Sequence, residues 1–254
     1  MSFSTDVAGI IGLYVGRYEL LSWIDQSRLD WVRLSGNPKA IDLLAANPDR
    51  INWGQLSKNP EALPLLLSHP DKIEWYWLSQ NPSAISLLMA DPDKVDWVLL
   101  SANSAAIELL VANPDRINWT ILSGNTAAIE LLAANPNRIN KGFLSMNPAG
   151  VPLLMVNPDK ISWSSLSCNP SAISLLMANP DKIDWICLSC NPAAISLLLD
   201  NFDKIKWNSL SVNPAAIKLL AAHPDLIDWE NFSENPAIFE LRADPLIVAE
   251  LNKI

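Results

Sequence analysis

Three cysteines and two histidines are the side chains of this 254-residue chain best suited to redox or metal chemistry. Cys187 and Cys190 form a C-x-x-C motif, and Cys168 precedes Cys190 by 22 residues. A structural zinc site needs four ligands, and no histidine lies near this motif in the sequence. Since 22 residues is also the period of a repeat described below, we expect Cys168 and Cys190 to be one repeat apart and too distant for a disulfide. The motif therefore predicts small half-buried side chains.

The two histidines, His69 and His223, occupy the same position of the repeat but lie seven repeats apart. They are too far apart to share a metal ion, so we expect both to be turn residues. The sequence gathers no nucleophile with a base and an oxyanion donor, and no phosphate-binding loop. It therefore predicts a protein that is not an enzyme, with no cofactor and no metal.

Composition narrows the possible partners. The chain has 18 basic and 27 acidic residues, a net charge of -9, which opposes non-specific binding to nucleic acid or anionic membranes. No apolar run approaches the roughly 20 residues of a membrane helix. Few cysteines and no basic N-terminal signal region predict an intracellular location.

A strict 22-residue repeat organises most of the chain. The unit is W-x-x-L-S-x-N-P-x-A-I-x-L-L-x-x-N-P-D-[KR]-I-x, and its first Asn and its Ser recur in ten units of ten. Trp recurs in nine of the ten, and Lys141 replaces it in the sixth. Such a period is typical of stacked repeat units. The Trp positions are 31, 53, 75, 97, 119, 163, 185, 207 and 229.

The sequence pattern of each unit predicts two short helices. Asn37-Pro38 is typical of a helix start, and the apolar spacing from Ala40 to Leu44 indicates a buried helix face of about 9 residues. A second helix of about 6 residues is predicted from Trp53 to Lys58, after the capping residue Asn52.

Helices this short require stacking for stability. We therefore predict an all-α solenoid, a superhelix of ten repeats over residues 31–235, about 80–100 Å long at normal helix spacings. Residues 1–30 and 236–254 depart from the unit and are predicted to cap two open ends.

The unit Asn179-Pro180-Asp181-Lys182-Ile183-Asp184-Trp185 with Leu188-Ser189-Cys190-Asn191-Pro192 resembles the tandem 22-residue helical repeats encoded by giant DNA viruses. The Leu-Ser-x-Asn-Pro segment is more distantly similar to the leucine-rich variant repeat, an alternation of α- and 3₁₀-helices. The resemblance implies a viral repeat protein, located in the host cytoplasm or the virion, and it carries over no catalytic residue.

The repeated polar positions have structural interpretations. Ser and Asn recur in every unit, so we expect them to bond backbone groups rather than to catalyse. Trp is predicted to be core, with its indole N–H bonded to a loop carbonyl. Nine consecutive units carry Lys or Arg at one position, from Arg28 to Lys204, usually after an Asp. We expect these cations to pair with Asp of neighbouring turns; the alternative is a nucleic-acid or polyanion site.

The variable positions after Trp are the best candidates for partner binding. They are apolar in four consecutive central units and polar towards the ends, at Gln55 and Ser165 for example. The interpretation left open is that they pack between units as core. The predicted function is a scaffold for protein–protein interaction, self-association or structural assembly. The predicted partner-binding residues are Tyr76, Trp77, Val98, Leu99, Ile121 and Phe143.

The sixth unit is predicted to stack most weakly or to change the curvature of the superhelix. It loses its Trp at Lys141, contains Gly142 and Gly150, and carries Pro152 at an interior position of the predicted helix. Gly and Pro inside a helix cost about 1 and 3 kcal/mol relative to Ala, and Pro costs less in the first turn.

Overall fold

The computed structural model describes residues 16–243, and most of them lie in short helices that recur every 22 residues. The first helix of each repeat, here called the Trp helix, begins at the Trp position or at Lys141. The Trp helices span Trp31–Ser35, Trp53–Lys58, Trp75–Leu78, Trp97–Leu100, Trp119–Leu122, Lys141–Met146, Trp163–Ser167, Trp185–Cys190, Trp207–Ser211 and Trp229–Phe232.

The capping residue before the Trp position explains where these helices start. Asn52 Oδ1 accepts a hydrogen bond of 2.9 Å from the backbone N–H of Gln55, as the predicted cap requires. Seven of the ten Trp helices have a side-chain cap of this kind; those after Glu74, Ser162 and Lys206 do not. The helix predicted from Trp53 to Lys58 is confirmed.

The second helix of each repeat, here called the Ile helix, is split. In repeats two to nine the residues after Asn form one 3₁₀ turn, such as Pro60–Ala62, and the α-helix follows it. Asn59 Oδ1 accepts from the N–H of Glu61 and so caps the 3₁₀ turn. The nine Ile helices span Ile41–Ala45, Leu63–Leu67, Ile85–Ala90, Ile107–Ala112, Ile129–Ala134, Val151–Val156, Ile173–Met177, Ile195–Leu199 and Ile217–Ala222.

Pro152 lies in the first turn of its Ile helix, where no intrahelical N–H donor is needed. The proline therefore costs little helix stability. The Trp helix of the same repeat, Lys141–Met146, forms although its Trp is replaced by Lys141. A further 3₁₀ turn, such as Pro48–Arg50, connects each Ile helix to the next Trp helix.

Two leucine ladders and one alanine ladder form most of the core. Leu34 and its equivalents on the Trp helices are fully buried, as are Leu44 and its equivalents on the Ile helices. Ala40 and its equivalents fill the position where the two helices of a repeat meet. Ser35 and Asn37 with their equivalents are also buried, at 0–3% exposure, so every one of these polar groups needs a partner.

The buried Ser and Asn bond each repeat to the one before it. Asn59 Nδ2 donates to the carbonyls of Ser35 and Asn37, at 3.2 and 3.0 Å. Ser35 Oγ donates to its own helix at Trp31 O and accepts from the N–H of Asn52, the capping residue of the next Trp helix. The same pattern recurs to the last repeat, and we call it the Asn–Ser ladder. The prediction that these residues bond backbone groups is confirmed.

The Asn–Ser ladder closes on itself. Asn37, in the first repeat, donates to the carbonyls of Ser233 and Asn235 in the tenth, at 3.2 and 3.1 Å. Ser233 Oγ accepts from the N–H of Asp30 at 2.8 Å. These are the bonds that join any two neighbouring repeats, so the last repeat contacts the first as an ordinary neighbour. We call this junction the seam.

Two strands also join the ends of the described chain. Gly16–Leu20 (β1) pairs antiparallel with Phe239–Ala243 (β2), with Gly16 opposite Ala243. β2 follows the 3₁₀ turn Pro236–Ile238, and thus takes the place in the tenth repeat that an Ile helix takes in the others. β1 contacts the first Ile helix.

This arrangement corrects two expectations. The chain is helical, but its ends add a strand pair that the repeat pattern did not predict. An open rod about 80–100 Å long with a separate cap at each end is wrong, because the first and last repeats bond directly. Residues 1–15 and 244–254 of the two predicted caps lie outside the described residues.

The two layers of helices are spaced differently. Trp helices of most successive repeats contact one another closely, and successive 3₁₀ turns after the ladder Asn do so throughout. Successive Ile helices are in looser contact. In a closed array of repeats the more closely spaced layer has the smaller circumference, so the Trp helices lie on the concave side.

Candidate interaction surface

The predicted partner-binding residues lie on four consecutive Trp helices, and we call this set the central arc. Within it Tyr76, Val98 and Phe143 are exposed, at 52%, 47% and 38% of their surface. Trp77, Leu99 and Ile121 are half-buried. All six occupy the second or third position of a Trp helix, away from the buried Leu. The structure therefore brings them together on the concave side.

The half-buried members lean on the preceding repeat. A Cβ atom added to Gly54 would lie 3.1 Å from Trp77 Cδ1, so Trp77 packs directly on the backbone of the previous Trp helix. Phe143 contacts Gly124 in the same way, at 3.3 Å. Tyr76 meets the Trp77 ring edge-on, with centroids 5.0 Å apart. The third helical position thus packs between repeats, while the second, at Tyr76 and Val98, projects.

Sequence reasoning missed two exposed residues of the same kind. Val32 and Ile186 occupy the second helical position in repeats one and eight, with 49% and 59% of their surface exposed. They lie outside the central arc. The sequence could have indicated them, because they are apolar and occupy the same position of the unit as Tyr76 and Val98.

A second apolar row on the opposite layer was also missed. The fifth position of each Ile helix is apolar in all nine of these helices, and its large members are each more than half exposed. The fifth position lies four residues after the Ile position, so its spacing indicates the same helix face. The structure, however, fully buries only the fourth residue of the helix. The large members are Leu67, Met89, Val111, Met155, Met177 and Leu199.

The basic row contacts Trp rings rather than Asp of neighbouring turns. Arg116 lies over Trp97 of its own repeat, with its guanidinium carbon 4.8 Å from the ring centroid, and Arg28 lies over Trp229 across the seam at 4.2 Å. The expected pairing between turns is wrong for the described residues, where Asp partners of these cations belong to their own turn. The other stacked cations are Arg50, Lys94, Arg138 and Lys204.

The sixth repeat shows what happens when the ring is missing. Lys141 stands where the Trp would be, and Lys160 has no ring at that position to cover. Its ammonium group donates instead to the carbonyl of Pro136, at 2.6 Å. The Trp side chains are partly buried against the core. Contrary to expectation, the indole N–H groups of Trp97, Trp119 and Trp229 are buried without an acceptor.

The two histidines are turn residues, as predicted. His69 and His223 each end an Ile helix, and their Nδ1 atoms lie 3.2 and 3.0 Å from the carbonyls of Leu65 and Leu219. Each ring stacks against the Trp of its own repeat, at a centroid distance of 5.1 Å.

The three cysteines are closer together than predicted. Cys168 Sγ and Cys190 Sγ are 3.7 Å apart, although the residues belong to neighbouring repeats, and all three thiols are half-buried. The expectation that one repeat separates them too far for a disulfide is therefore wrong for the sulfur atoms. The Trp helices Trp163–Ser167 and Trp185–Cys190 lie side by side, which brings equivalent positions into contact.

Among residues 16–243, no cluster of three or more His, Cys, Asp or Glu side chains is arranged to hold a metal ion. None of the helices in this range is long and apolar enough to cross a membrane. No family model, curated protein or solved structure matches the chain.

Proposed function

We propose that this protein is a non-enzymatic scaffold, a closed α-solenoid of ten 22-residue repeats that binds a protein partner or a second copy of itself through the central arc. The observation that carries the proposal is the exposure of Tyr76 and Val98 on neighbouring Trp helices of the concave side, with Phe143 exposed two helices further along. Large apolar side chains clustered on a surface are typical of interaction sites.

The framework supports this role because it fixes the exposed side chains in place. Trp77 packs against Gly54, and Tyr76 in turn packs edge-on against Trp77. Little side-chain entropy is then left to lose on binding, which favours affinity. Repeat proteins use their concave surfaces in this way. Four helices at spacings of about 8–10 Å suit an extended partner segment about 30 Å long.

Binding of nucleic acid along the basic row is the weaker alternative. At least six of the nine cations of this row lie over Trp rings, and Lys160 donates to a carbonyl. A phosphate would have to compete with these contacts, and the net charge of -9 opposes its approach. The resemblance to viral repeats, and with it a location in the host cytoplasm or the virion, stays a prediction.

The experiment compares variants of exposed residues that do not support the fold. The double variant Tyr76→Ser with Val98→Ser removes apolar surface from the central arc, and Val32→Ser is its matched control at the same helical position outside the arc. Trp77→Ser is less suitable because Trp77 packs between repeats.

Each variant is used for cross-linking and mass spectrometry in native material and for sedimentation velocity. The proposal predicts that the arc variant loses a bound protein, or loses self-association, while Val32→Ser keeps it. Because the recognition is apolar, the binding should weaken little as salt rises from low to physiological concentration. Binding that survives in the arc variant, or that falls steeply with salt, would refute the proposal.

A further inference from the structure

The three thiols form one cluster across two neighbouring repeats. Cys168 lies directly after the helix Trp163–Ser167, and Cys187 and Cys190 lie on the helix Trp185–Cys190. The Sγ atoms of Cys168 and Cys190 are 3.7 Å apart, and Cys190 in its thiol form donates to the carbonyl of Cys187 at 3.0 Å. This is contact distance for two sulfur atoms without a bond between them.

Cys187 is oriented differently from Cys190 although it belongs to the same C-x-x-C motif. Its Sγ lies 3.9 Å from the hydroxyl of Ser164, which donates to Asp184 at 2.8 Å. Of the two cysteines of the motif, Cys190 is thus the one in sulfur–sulfur contact with Cys168.

The contact also separates the acidities of the two thiols. Hydrogen bonding between the sulfurs, with burial and the nearby Cys187, raises the pKa of Cys168. The same hydrogen bond lowers the pKa of Cys190 to about 7, because the Cys168 thiol donates to the Cys190 thiolate. The lowered pKa increases the fraction of Cys190 that is thiolate at neutral pH, and the thiolate is the reactive form.

We propose that Cys168 and Cys190 are a redox modification site, at which a peroxide joins neighbouring repeats through a reversible disulfide. The Cys190 thiolate attacks one oxygen of hydrogen peroxide, the O–O bond breaks, and a sulfenic acid and hydroxide form. The Cys168 sulfur then attacks the Cys190 sulfur, the S–O bond breaks, and water leaves. In sum, two thiols lose two electrons and two protons, and one peroxide becomes two water molecules.

The geometry favours this pairing over the one within the C-x-x-C motif. The two sulfur atoms have only to approach from 3.7 Å to a bond length of about 2.05 Å. The bond would link the seventh and eighth repeats in parallel with the Asn169 and Asn191 contacts of the Asn–Ser ladder. A reductant of the thiol class restores the free cysteines.

The test maps the disulfide formed when the full-length protein is treated with hydrogen peroxide. In the wild type the thiol count should fall from three to one per chain, and a non-reducing digest should contain a peptide pair linked through Cys168 and Cys190. Cys187→Ser is the matched control and should form the same link, whereas Cys168→Ser should not.

A denatured control separates the folded geometry from chemical preference. In concentrated urea a larger share of the molecules should form the Cys187–Cys190 bond, because that bond closes the shorter loop. The proposal also predicts that oxidation raises the melting temperature of the wild type and of Cys187→Ser but not of Cys168→Ser. A native digest containing the Cys187–Cys190 link, or a native thiol count that stays at three, would overturn the assignment.

Discussion

Closure of the Asn–Ser ladder makes Asn37 an interior residue, and its replacement by alanine measures this directly. In the closed structure Asn37 is 1% exposed and donates to two carbonyls of the tenth repeat. Its Oδ1 atom also accepts from the N–H of Lys39. In an open array the same residue would lie at the end of the ladder, with its amide free to bond water.

The two cases differ in free energy by a measurable amount. Asn37→Ala removes three hydrogen bonds, each contributing about 1 kcal/mol net, and leaves buried groups without partners at roughly 1 kcal/mol or more. We expect a loss of about 4 kcal/mol or more in the free energy of unfolding for the closed structure. For an open end only the bond to Lys39 is lost, which costs about 1 kcal/mol.

Two matched variants calibrate the measurement. Asn125→Ala removes the equivalent bonds, to Ser101 and Asn103, in the middle of the chain, and should cost the same as Asn37→Ala. Asn47→Ala removes one bond within its own repeat and should cost about 1 kcal/mol.

The assay is urea unfolding followed by tryptophan fluorescence, with the slope of the transition checked for each variant. If Asn37→Ala behaves like Asn47→Ala while Asn125→Ala is strongly destabilised, the seam does not form in solution and the reasoning fails.

Three further predictions follow from the packing. Gly150→Ala should lower the melting temperature although other repeats carry Ala there, because the new Cβ would lie 2.6 Å from the carbonyl oxygen of Leu144; Ala128→Gly, its counterpart, should cost only about 1 kcal/mol by calorimetry. Arg116→Gln should lower the free energy of urea unfolding by about 0.5–1 kcal/mol, because the contact with Trp97 is lost. If added salt abolished this difference between variant and wild type, the cation–π interpretation would be contradicted. X-ray scattering should give a radius of gyration of about 18–20 Å, the value for a compact chain of this length. A radius of gyration of about 28 Å would instead indicate an open rod.

The sequence predicted the local structure well because each local signal is strong by itself. Asn52 before Trp53, with Ile51 and Leu56 in the staple positions, marked the helix from Trp53 to Lys58 at both ends. Burial of Ser and Asn followed from their recurrence in every unit. Such signals depend on neighbours within about five residues, and the repeat presents them ten times.

Closure could not be predicted in the same way, because it depends on the small rotation between one repeat and the next. Ten repeats close when each junction turns by about 36°, and a few degrees less leaves an open superhelix. That angle follows from side-chain packing at each junction rather than from the period. One clue was present at the seam: Arg33 meets Glu230 and Glu234, at 2.8 Å each, and other repeats lack this charge pattern.

The structure divides the candidate surface into two kinds of position, and the sequence did not predict that division. The second and third positions of the Trp helix both vary, so the sequence alone treats them as one surface. The structure separates them, since Trp77 packs on Gly54 while Tyr76 and Val98 project. A side chain in the third position changes how two repeats meet, and one in the second changes what the concave side presents. We therefore expect substitutions at the second position to alter the proposed partner binding without altering the curvature that brings the first and last repeats together.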